Sequence, residues 1–232
     1  MLTSRQTIFY KNSLITRFKR SLGFTLAEVL ITLTVIGVVA AMGIPAIIQS
    51  VQDMQTTTGV KAASAMMNEA TTKLASDNGG TLKGLCNDRD DDCLMNLYKP
   101  YLSSVQSCAL NASWGICRAR PFYMDGVTPQ STNFATLVLT NGMIVEFRMN
   151  NKACDYTSPA QTTNSKCGWF SVDINGRKAP NVYGKDIFWF SLQENSIKPG
   201  GAPGDYNNFL NCTGSETGNW SGFGCTAKYI IK

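Results

Sequence analysis

The 232-residue chain is long enough for one globular domain and a membrane segment. Its content of 44% hydrophobic and 16% charged residues is typical of a folded protein and argues against a disordered one. The formal charge of +5 arises before position 23, where five Lys and Arg residues stand without an acid, so sixteen charges of each sign remain beyond it. A neutral remainder lacks the basic surface that phosphate-backbone binders use, which argues against nucleic acid as a partner.

The chain contains no histidine. This absence excludes a histidine general base, a Ser-His-Asp triad and histidine metal ligands. The sequence also lacks a P-loop and a Gly-x-Gly-x-x-Gly fingerprint. Because no residue set for catalysis is left, we predict that the protein is not an enzyme.

Eight cysteines lie between Cys86 and Cys225, and none forms a Cys-x-x-Cys pair. An even number of cysteines with this distribution indicates disulfides formed in an oxidising compartment. Many pairings are conceivable, but the spacing favours sequential neighbours. These pairs are Cys86 with Cys93, Cys108 with Cys117, Cys154 with Cys167, and Cys212 with Cys225.

The amino-terminal third contains an apolar run from Phe24 to Ile48 that carries a single charge. Its length exceeds the roughly 20 residues that a helix needs to cross a bilayer. Cations crowd its amino-terminal side at Arg17, Lys19 and Arg20. The positive-inside rule therefore places that end in the cytoplasm and the cysteines on the outer side.

The single charge in this run is Glu28, and a carboxylate inside hydrocarbon costs about 2.5 to 3.5 kcal/mol even on lenient insertion scales. Cleavage between Gly23 and Phe24 would create a positive α-amine at similar depth. In a stack of staggered helices, the amine of one subunit could meet Glu28 of its neighbour. Such a pair would neutralise both charges and fix the axial register.

The run from Gly23 to Glu28, GFTLAE, resembles the cleavage motif of type IV pilins and type II secretion pseudopilins. It combines a short basic leader, glycine before the scissile bond, phenylalanine after it, glutamate four residues further on, and an apolar run to about Ile48. The resemblance implies cleavage after Gly23 by a membrane aspartyl prepilin peptidase, followed by N-methylation of Phe24.

The resemblance also implies the partners and the location of the chain. The partners are the prepilin peptidase, other pilin or pseudopilin subunits and an inner-membrane assembly platform. The precursor would cross the inner membrane once, with its head outside the cytoplasm, and would then enter a periplasmic or extracellular filament. The alternatives are an ordinary secretory signal or a plain anchor, for which small residues near Ala40 and Ala46 offer cleavage sites.

Three helix-weakening residues, Gly37, Gly43 and Pro45, lie in the apolar run. Proline removes one backbone hydrogen bond and clashes with the preceding turn. We therefore expect a kink or local melting here when the helices leave lipid and enter a filament core.

Beyond Pro45 the pattern predicts an amphipathic helix to about Asp77, ended by Asn78-Gly79-Gly80. The buried face is predicted at Val51, Met54, Ala62, Met66, Ala70 and Leu74. The chain is thereby divided into a leader at 1–23, a transmembrane and filament-core helix at 24–48, its amphipathic continuation at 49–78 and a globular head at 79–232. In the head, the aspartates before Leu94 are expected to cap a short helix.

The clearest strand signal is the run 134–140, followed by Asn141-Gly142 and the run 143–149, which predicts a hairpin with a type I′ turn. Two further strands are predicted at 169–174 and 187–192. The expected fold is α+β and pilin-like, with a long amino-terminal helix packed on an antiparallel sheet of about four strands and a head stabilised by disulfides.

The connection between the last two strands holds three oxygen-bearing residues, Asp173, Asn175 and Asp186. They could bind calcium, which supports the heads of some major pseudopilins. Against this, Arg177 stands where a calcium loop would require another oxygen ligand. A structural turn is the alternative, since Asn-Gly and Pro-Asn form turns without an ion.

The leading hypothesis is therefore a structural subunit of a type IV pilus or type II secretion filament. The second hypothesis is a minor pilin that acts as a binding module at the filament tip, for adhesion, a secreted substrate or DNA. The glycine- and aromatic-rich loop between Cys212 and Cys225 would then supply the binding surface.

Overall fold

A computed structural model describes residues 23–157, 166–203, 205, 212–213 and 217–231. The leader at 1–22, with its five cations, lies outside the described residues. The chain divides into two compact units after Ile48. Helix α1 is assigned over Leu26–Asp77, with Pro45 in its interior.

The described part of the amino-terminal unit consists of three residues outside regular secondary structure, at 23–25, and the first turns of α1. Its large apolar side chains are exposed around the whole helix, as at Leu30, Val35 and Ile47. The stretch is helical through Gly37, Gly43 and Pro45. The predicted kink concerns the helix inside a filament, and it stays a prediction.

The second unit begins with the last turns of α1, which bury one face against the head. The buried residues are Val60, Ala63, Met67, Ala70, Thr71, Leu74 and Ala75. The predicted face was correct at Ala70 and Leu74 and wrong by one position at Ala62, whereas Met66 is partly buried and packs against the core beside the fully buried Met67. Ala62-Ala63 and Met66-Met67 are pairs of identical residues, so apolar periodicity alone does not select between them. Val51 and Met54, also predicted on this face, are exposed.

The head contains a six-stranded antiparallel sheet in which every strand pairs with its neighbours in chain order. The strands are β1 Ser104–Cys108, β2 Ala135–Leu139, β3 Ile144–Met149, β4 Gly168–Asp173, β5 Ile187–Leu192 and β6 Ile197–Pro199. Two short helices, α2 Asp91–Tyr98 and α3 Thr226–Ile230, complete the regular elements.

The α+β class and the four predicted strands are confirmed, whereas the predicted number of strands is too low. The additional strands β1 and β6 lie at the two edges of the sheet. Strand β1 is polar and largely exposed, and β6 is three residues long and ends in proline. Edge strands without an apolar face give no alternating signal in the sequence.

The predicted β2–β3 hairpin is confirmed, but its turn is not of type I′. The N–H of Gly142 donates to the carbonyl of Leu139, and Gly142 alone in this turn has a positive φ, of 87°. This combination is a three-residue loop, a type I turn followed by a left-handed glycine.

Both faces of the sheet are buried. The first face carries Val145, Phe147, Phe170 and Phe190, and it packs on α1 and α2. The opposite face forms a second aromatic cluster, which contains Tyr123, Phe134, Trp169, Tyr183, Ile187, Trp189 and Phe223. Segments without long regular elements, around Tyr123, Tyr183 and Phe223, cover this second face.

Four disulfides join the eight cysteines as sequential neighbours: Cys86–Cys93, Cys108–Cys117, Cys154–Cys167 and Cys212–Cys225. The separations are 7, 9, 13 and 13 residues, so each bond closes a short loop. In the chain-entropy model, bonds of this length each stabilise the fold by about 2 to 3 kcal/mol.

A buried hydrogen bond joins α1 to α2. The hydroxyl of Thr71 donates to the carbonyl of Met67, and it accepts from the Tyr98 hydroxyl at 2.7 Å. Tyr98 is fully buried and its ring lies 5.2 Å from that of Phe147. Asp90 caps α2, accepting the N–H of Cys93 at 2.9 Å, as the sequence predicts.

We expect Tyr98→Phe to lower the free energy of unfolding by about 1 kcal/mol, because it removes this buried hydrogen bond and keeps the ring. The control is Tyr101→Phe, which removes an exposed hydrogen bond of equal length to Asp77. Thermal unfolding of the full chain in detergent measures both variants. Equal effects of the two substitutions would show that the buried hydrogen bond between α1 and α2 stabilises the fold no more than the exposed one does.

Candidate processing and assembly segment

The start of α1 is closed by a reciprocal pair of hydrogen bonds between Thr25 and Glu28. The N–H of Glu28 donates to the Thr25 hydroxyl at 3.2 Å. In return, the backbone N–H and the hydroxyl of Thr25 each donate to Glu28 Oε2 at 2.8 Å. This arrangement is a capping box, which satisfies backbone donors that a helix end otherwise leaves open.

The role of Thr25 was missed in the sequence, although the signal was present. A Thr-x-x-Glu spacing before an apolar run is the sequence pattern of a capping box. In addition, the amino-terminal end of a helix carries a partial positive charge that favours a carboxylate in the first turn. Glu28 therefore has two sources of stabilisation within its own helix, besides the counter-charge of a neighbour.

The residues on either side of the expected scissile bond, Gly23 and Phe24, precede the helix and are exposed. The Phe24 side chain keeps 87% of its surface accessible. Backbone outside a helix has free donors and acceptors, which a peptidase needs in order to bind it as an extended strand. The geometry is compatible with cleavage between these two residues.

In the part of the chain that the structure describes, α1 is the one helix that is long and apolar enough to cross a membrane. None of the residues in the qualifying stretch is buried in the isolated chain. A helix that is apolar all round needs lipid or other helices as its surroundings.

Comparison with known proteins identifies a known sequence motif in this segment. The prokaryotic N-terminal methylation motif matches residues 18–44, and it is the signature of type IV pilins and pseudopilins. No curated protein and no solved structure matches the chain.

The chain thus carries the signature of type IV pilin-like proteins, which confirms the resemblance seen in the sequence. This signature supports a pilin-like, membrane-anchored substrate of prepilin peptidase that assembles with other pilins. It also favours a structural subunit over an enzyme. The match ends at residue 44, so the role of the head has to be argued from its own residues.

The structure brings the three calcium candidates together at the end of β4 and the start of β5. The Asp186 carboxylate accepts the N–H groups of Asn181 at 2.7 Å and Val182 at 2.6 Å, and the Asn175 amide at 3.3 Å. Asp173 accepts the N–H of Asn175 at 3.2 Å. The carboxylates thereby organise a turn, which is the alternative that the sequence left open.

The surroundings of this turn fit a calcium ion poorly. Calcium takes six to eight oxygen ligands, and the described residues contain no cluster of three or more His, Cys, Asp or Glu side chains. The turn lines a cleft of about 950 Å³. Three lysines also line this cleft, Lys178, Lys185 and Lys228. Calcium would have to displace the Asn175 amide and lie among these cations.

Calcium binding at Asp173, Asn175 and Asp186 nevertheless stays a prediction that one measurement decides. If these residues only form a turn, the melting temperature of the full chain will be the same in calcium and in a chelator. A rise of several degrees with calcium that is lost in Asp186→Asn would instead establish the metal site.

Next to the turn, the second sheet face buries a charged pair that the sequence did not reveal. Glu146 and Arg118 form an ion pair with both side chains almost fully buried. The remaining oxygen of Glu146 accepts from Ser171 at 2.6 Å and from Tyr183 at 3.0 Å. Glu146 alternates with apolar residues in β3, a pattern that normally places a charge in solvent. Here the covering loops bury it.

Burial raises the pKa of the Asp173 carboxyl to about 8, and the nearby Asp186 charge adds to this rise. The folded state then holds a proton that the unfolded state has released between about pH 4 and 8. By linkage, this group makes stability fall as the pH rises through that window, by up to about 1.4 kcal/mol per pH unit.

We therefore expect Asp173→Asn to become progressively more stable than the wild type between pH 5 and pH 8, because the amide never ionises. Chemical denaturation at several pH values measures the difference. The exposed Asp53→Asn serves as control and should show no such trend. A difference between Asp173→Asn and wild type that stays constant with pH would contradict the raised pKa.

Proposed function

We propose that this chain is a subunit of a type IV pilus or type II secretion filament. Prepilin peptidase removes the leader after Gly23, Phe24 is N-methylated, and the helix at 24–48 packs against the same helix of other subunits. Before assembly, the precursor spans the inner membrane with its head outside the cytoplasm and is handed to an inner-membrane assembly platform.

The observation that carries this proposal is an apolar helix, exposed around its circumference, with one carboxylate near its start. Lipid satisfies the apolar surface of such a helix and leaves the carboxylate uncompensated. A bundle of identical helices satisfies both, since each new amino terminus brings a cation to the depth of a neighbour's Glu28.

The capping box is compatible with this counter-charge. Among the described residues, the Glu28 carboxylate accepts two hydrogen bonds, from the backbone N–H and the hydroxyl of Thr25, and both are made at Oε2. The other oxygen is therefore the natural acceptor for a neighbour's amine. The same carboxylate can close its own helix and pair with a second subunit.

The two roles of Glu28 separate in a matched pair of substitutions. Glu28→Gln keeps an acceptor for Thr25, since glutamine also forms capping boxes, but it removes the charge. Removing one partner of a buried ion pair costs about 3 to 5 kcal/mol. We expect Glu28→Gln to reduce sheared filaments by more than about tenfold while leader removal stays normal.

Two controls accompany this experiment. Thr25→Val removes the hydroxyl bonds of the capping box and keeps the charge, and it should assemble far better than Glu28→Gln. Glu69→Gln changes an exposed carboxylate on the same helix, paired with Lys73, and should assemble normally. Wild-type filament yield from Glu28→Gln would refute the counter-charge.

Processing itself is tested by sequencing the mature amino terminus, which we expect at Phe24 and methylated. A terminus near Met42 or Ile47 would indicate ordinary signal peptidase and would remove the filament proposal. Gly23→Ala and Gly23→Val in the precursor sharpen the test, because a bulkier residue before the scissile bond should slow leader removal.

A minor subunit that binds a ligand is the second candidate, and the second sheet face favours it. Loops with a half-exposed tryptophan, Trp220, cover that face, whereas a purely structural head needs no exposed aromatic side chain there. Abundance separates the candidates. A major subunit dominates sheared filaments by mass. Loss of a minor subunit abolishes ligand binding while filaments still form.

A further inference from the structure

A pocket of about 320 Å³ opens on the sheet face opposite α1. Its walls are mostly aromatic: Phe134, Tyr156, Trp169, Trp189, Trp220 and Phe223. Three of the four tryptophans of the chain contribute to it. A small concave site with flat apolar walls and a few polar groups is the usual form of a ligand site.

Trp220 lies at the pocket in a backbone conformation that its side chain disfavours. Its φ is 74°, in the left-handed region, and 49% of its surface is accessible. A bulky residue with positive φ is an outlier, and such outliers concentrate at ligand-binding sites. The ring centres of Tyr123 and Phe223 lie 6.2 Å and 5.5 Å from that of the Trp220 indole.

The two cations of the pocket already have carboxylate neighbours. Arg148 pairs with the buried Asp91 at 3.2 Å. Lys166 feels the charge of Asp205, and its ammonium lies 5.0 Å from the ring centre of Trp189. The pocket therefore lacks the unbalanced positive charge that phosphates and nucleic acids require.

Two residues of the pocket lining also carry a buried polar atom that the described residues leave without a hydrogen bond. These are the indole N–H of Trp189 and the side-chain carbonyl of Asn150, both buried. A buried polar group without a partner is unfavourable. Neither atom has surface that a ligand in the pocket could reach, so the polar contacts have to come from Thr132 and Arg148, to which a neutral hydroxyl can bond both as donor and as acceptor.

We propose that this pocket binds a neutral saccharide. One face of the sugar ring, with its axial C–H groups, stacks on the half-exposed indole of Trp220, and its hydroxyls bond to the polar groups of Thr132 and Arg148 in the lining. The volume corresponds to about one or two hexose rings with partial solvent exposure. This binding goes beyond filament assembly and does not depend on it.

The test uses the full mature chain in a phosphocholine detergent, because glucoside and maltoside detergents would compete for the pocket. Saturation-transfer NMR with glucose, galactose, mannose and N-acetylglucosamine detects binding, and tryptophan fluorescence titration measures the Kd. Trp220→Ala should weaken binding by about tenfold, as expected for one aromatic contact, and Trp220→Phe should recover most of the loss. Val127→Ala, a truncation of an exposed apolar side chain outside the pocket lining, should leave the Kd unchanged.

Absence of binding by every neutral sugar at millimolar concentration would overturn the proposal. So would a Kd that is insensitive to Trp220→Ala in a variant with wild-type circular dichroism. Stronger binding of glucuronate or oligothymidylate than of any neutral sugar would assign the pocket to anionic ligands instead. Leader removal and filament yield, measured in the same variants, stay at wild-type levels if assembly and saccharide binding are separate.

Discussion

The carboxylate of Glu28 is the constraint on which the amino-terminal half depends. An apolar helix with one acid is poorly suited to lipid and well suited to a bundle in which amines lie at the same depth. The capping box adds that this acid already closes its own helix through Thr25. Glu28 is therefore already hydrogen-bonded to the amino-terminal cap of its own helix before assembly. A neighbouring subunit would add a positive charge that compensates the carboxylate.

The head depends on a different constraint, because its sheet is buried on both faces. On the first face α1 and α2 provide regular cover, held by apolar packing and by the Thr71–Tyr98 hydrogen bond. The second face is covered by loops, which pack on aromatic rings and on the Glu146–Arg118 ion pair. The face packed on α1 is committed to the fold, so any recognition by the sheet layer has to occur on the second face.

Sequence alone predicted the parts governed by local patterns. The apolar run, the cleavage motif, the end of α1 at Asp77, the Asp90 cap and the β2–β3 hairpin all have a signal within a few residues. The sequence did not reveal the edge strands, because β1 is polar and β6 is short. It selected the exposed member of the Ala62-Ala63 pair and the less buried member of the Met66-Met67 pair, since both members of each pair fit an apolar stripe. The burial of Glu146 could not be predicted either, because a charged residue that alternates with apolar neighbours in a strand is normally exposed to solvent.

The loops that cover the second face are held in place by cross-links and close packing. Loops lack the repeated backbone hydrogen bonds of helices and strands, so their order depends more on cross-links and close packing. The turn that carries Trp220 shows both. Cys225 fixes one end through the bond to Cys212. Gly222, with φ of 89°, lies so close to the carbonyl of Tyr183 that a Cβ there would come within 2.3 Å of it.

Similarly, a Cβ at Gly184 would lie 2.8 Å from the Cys225 sulfur. The strained indole is thus held by a disulfide and two glycines, and not by a regular element. Reduction of Cys212–Cys225 would free the chain to release the left-handed conformation of Trp220 while the helix-covered face of the sheet stays packed. The backbone conformation of Trp220 thus depends on the Cys212–Cys225 disulfide, a kind of bond that forms and persists in oxidising compartments.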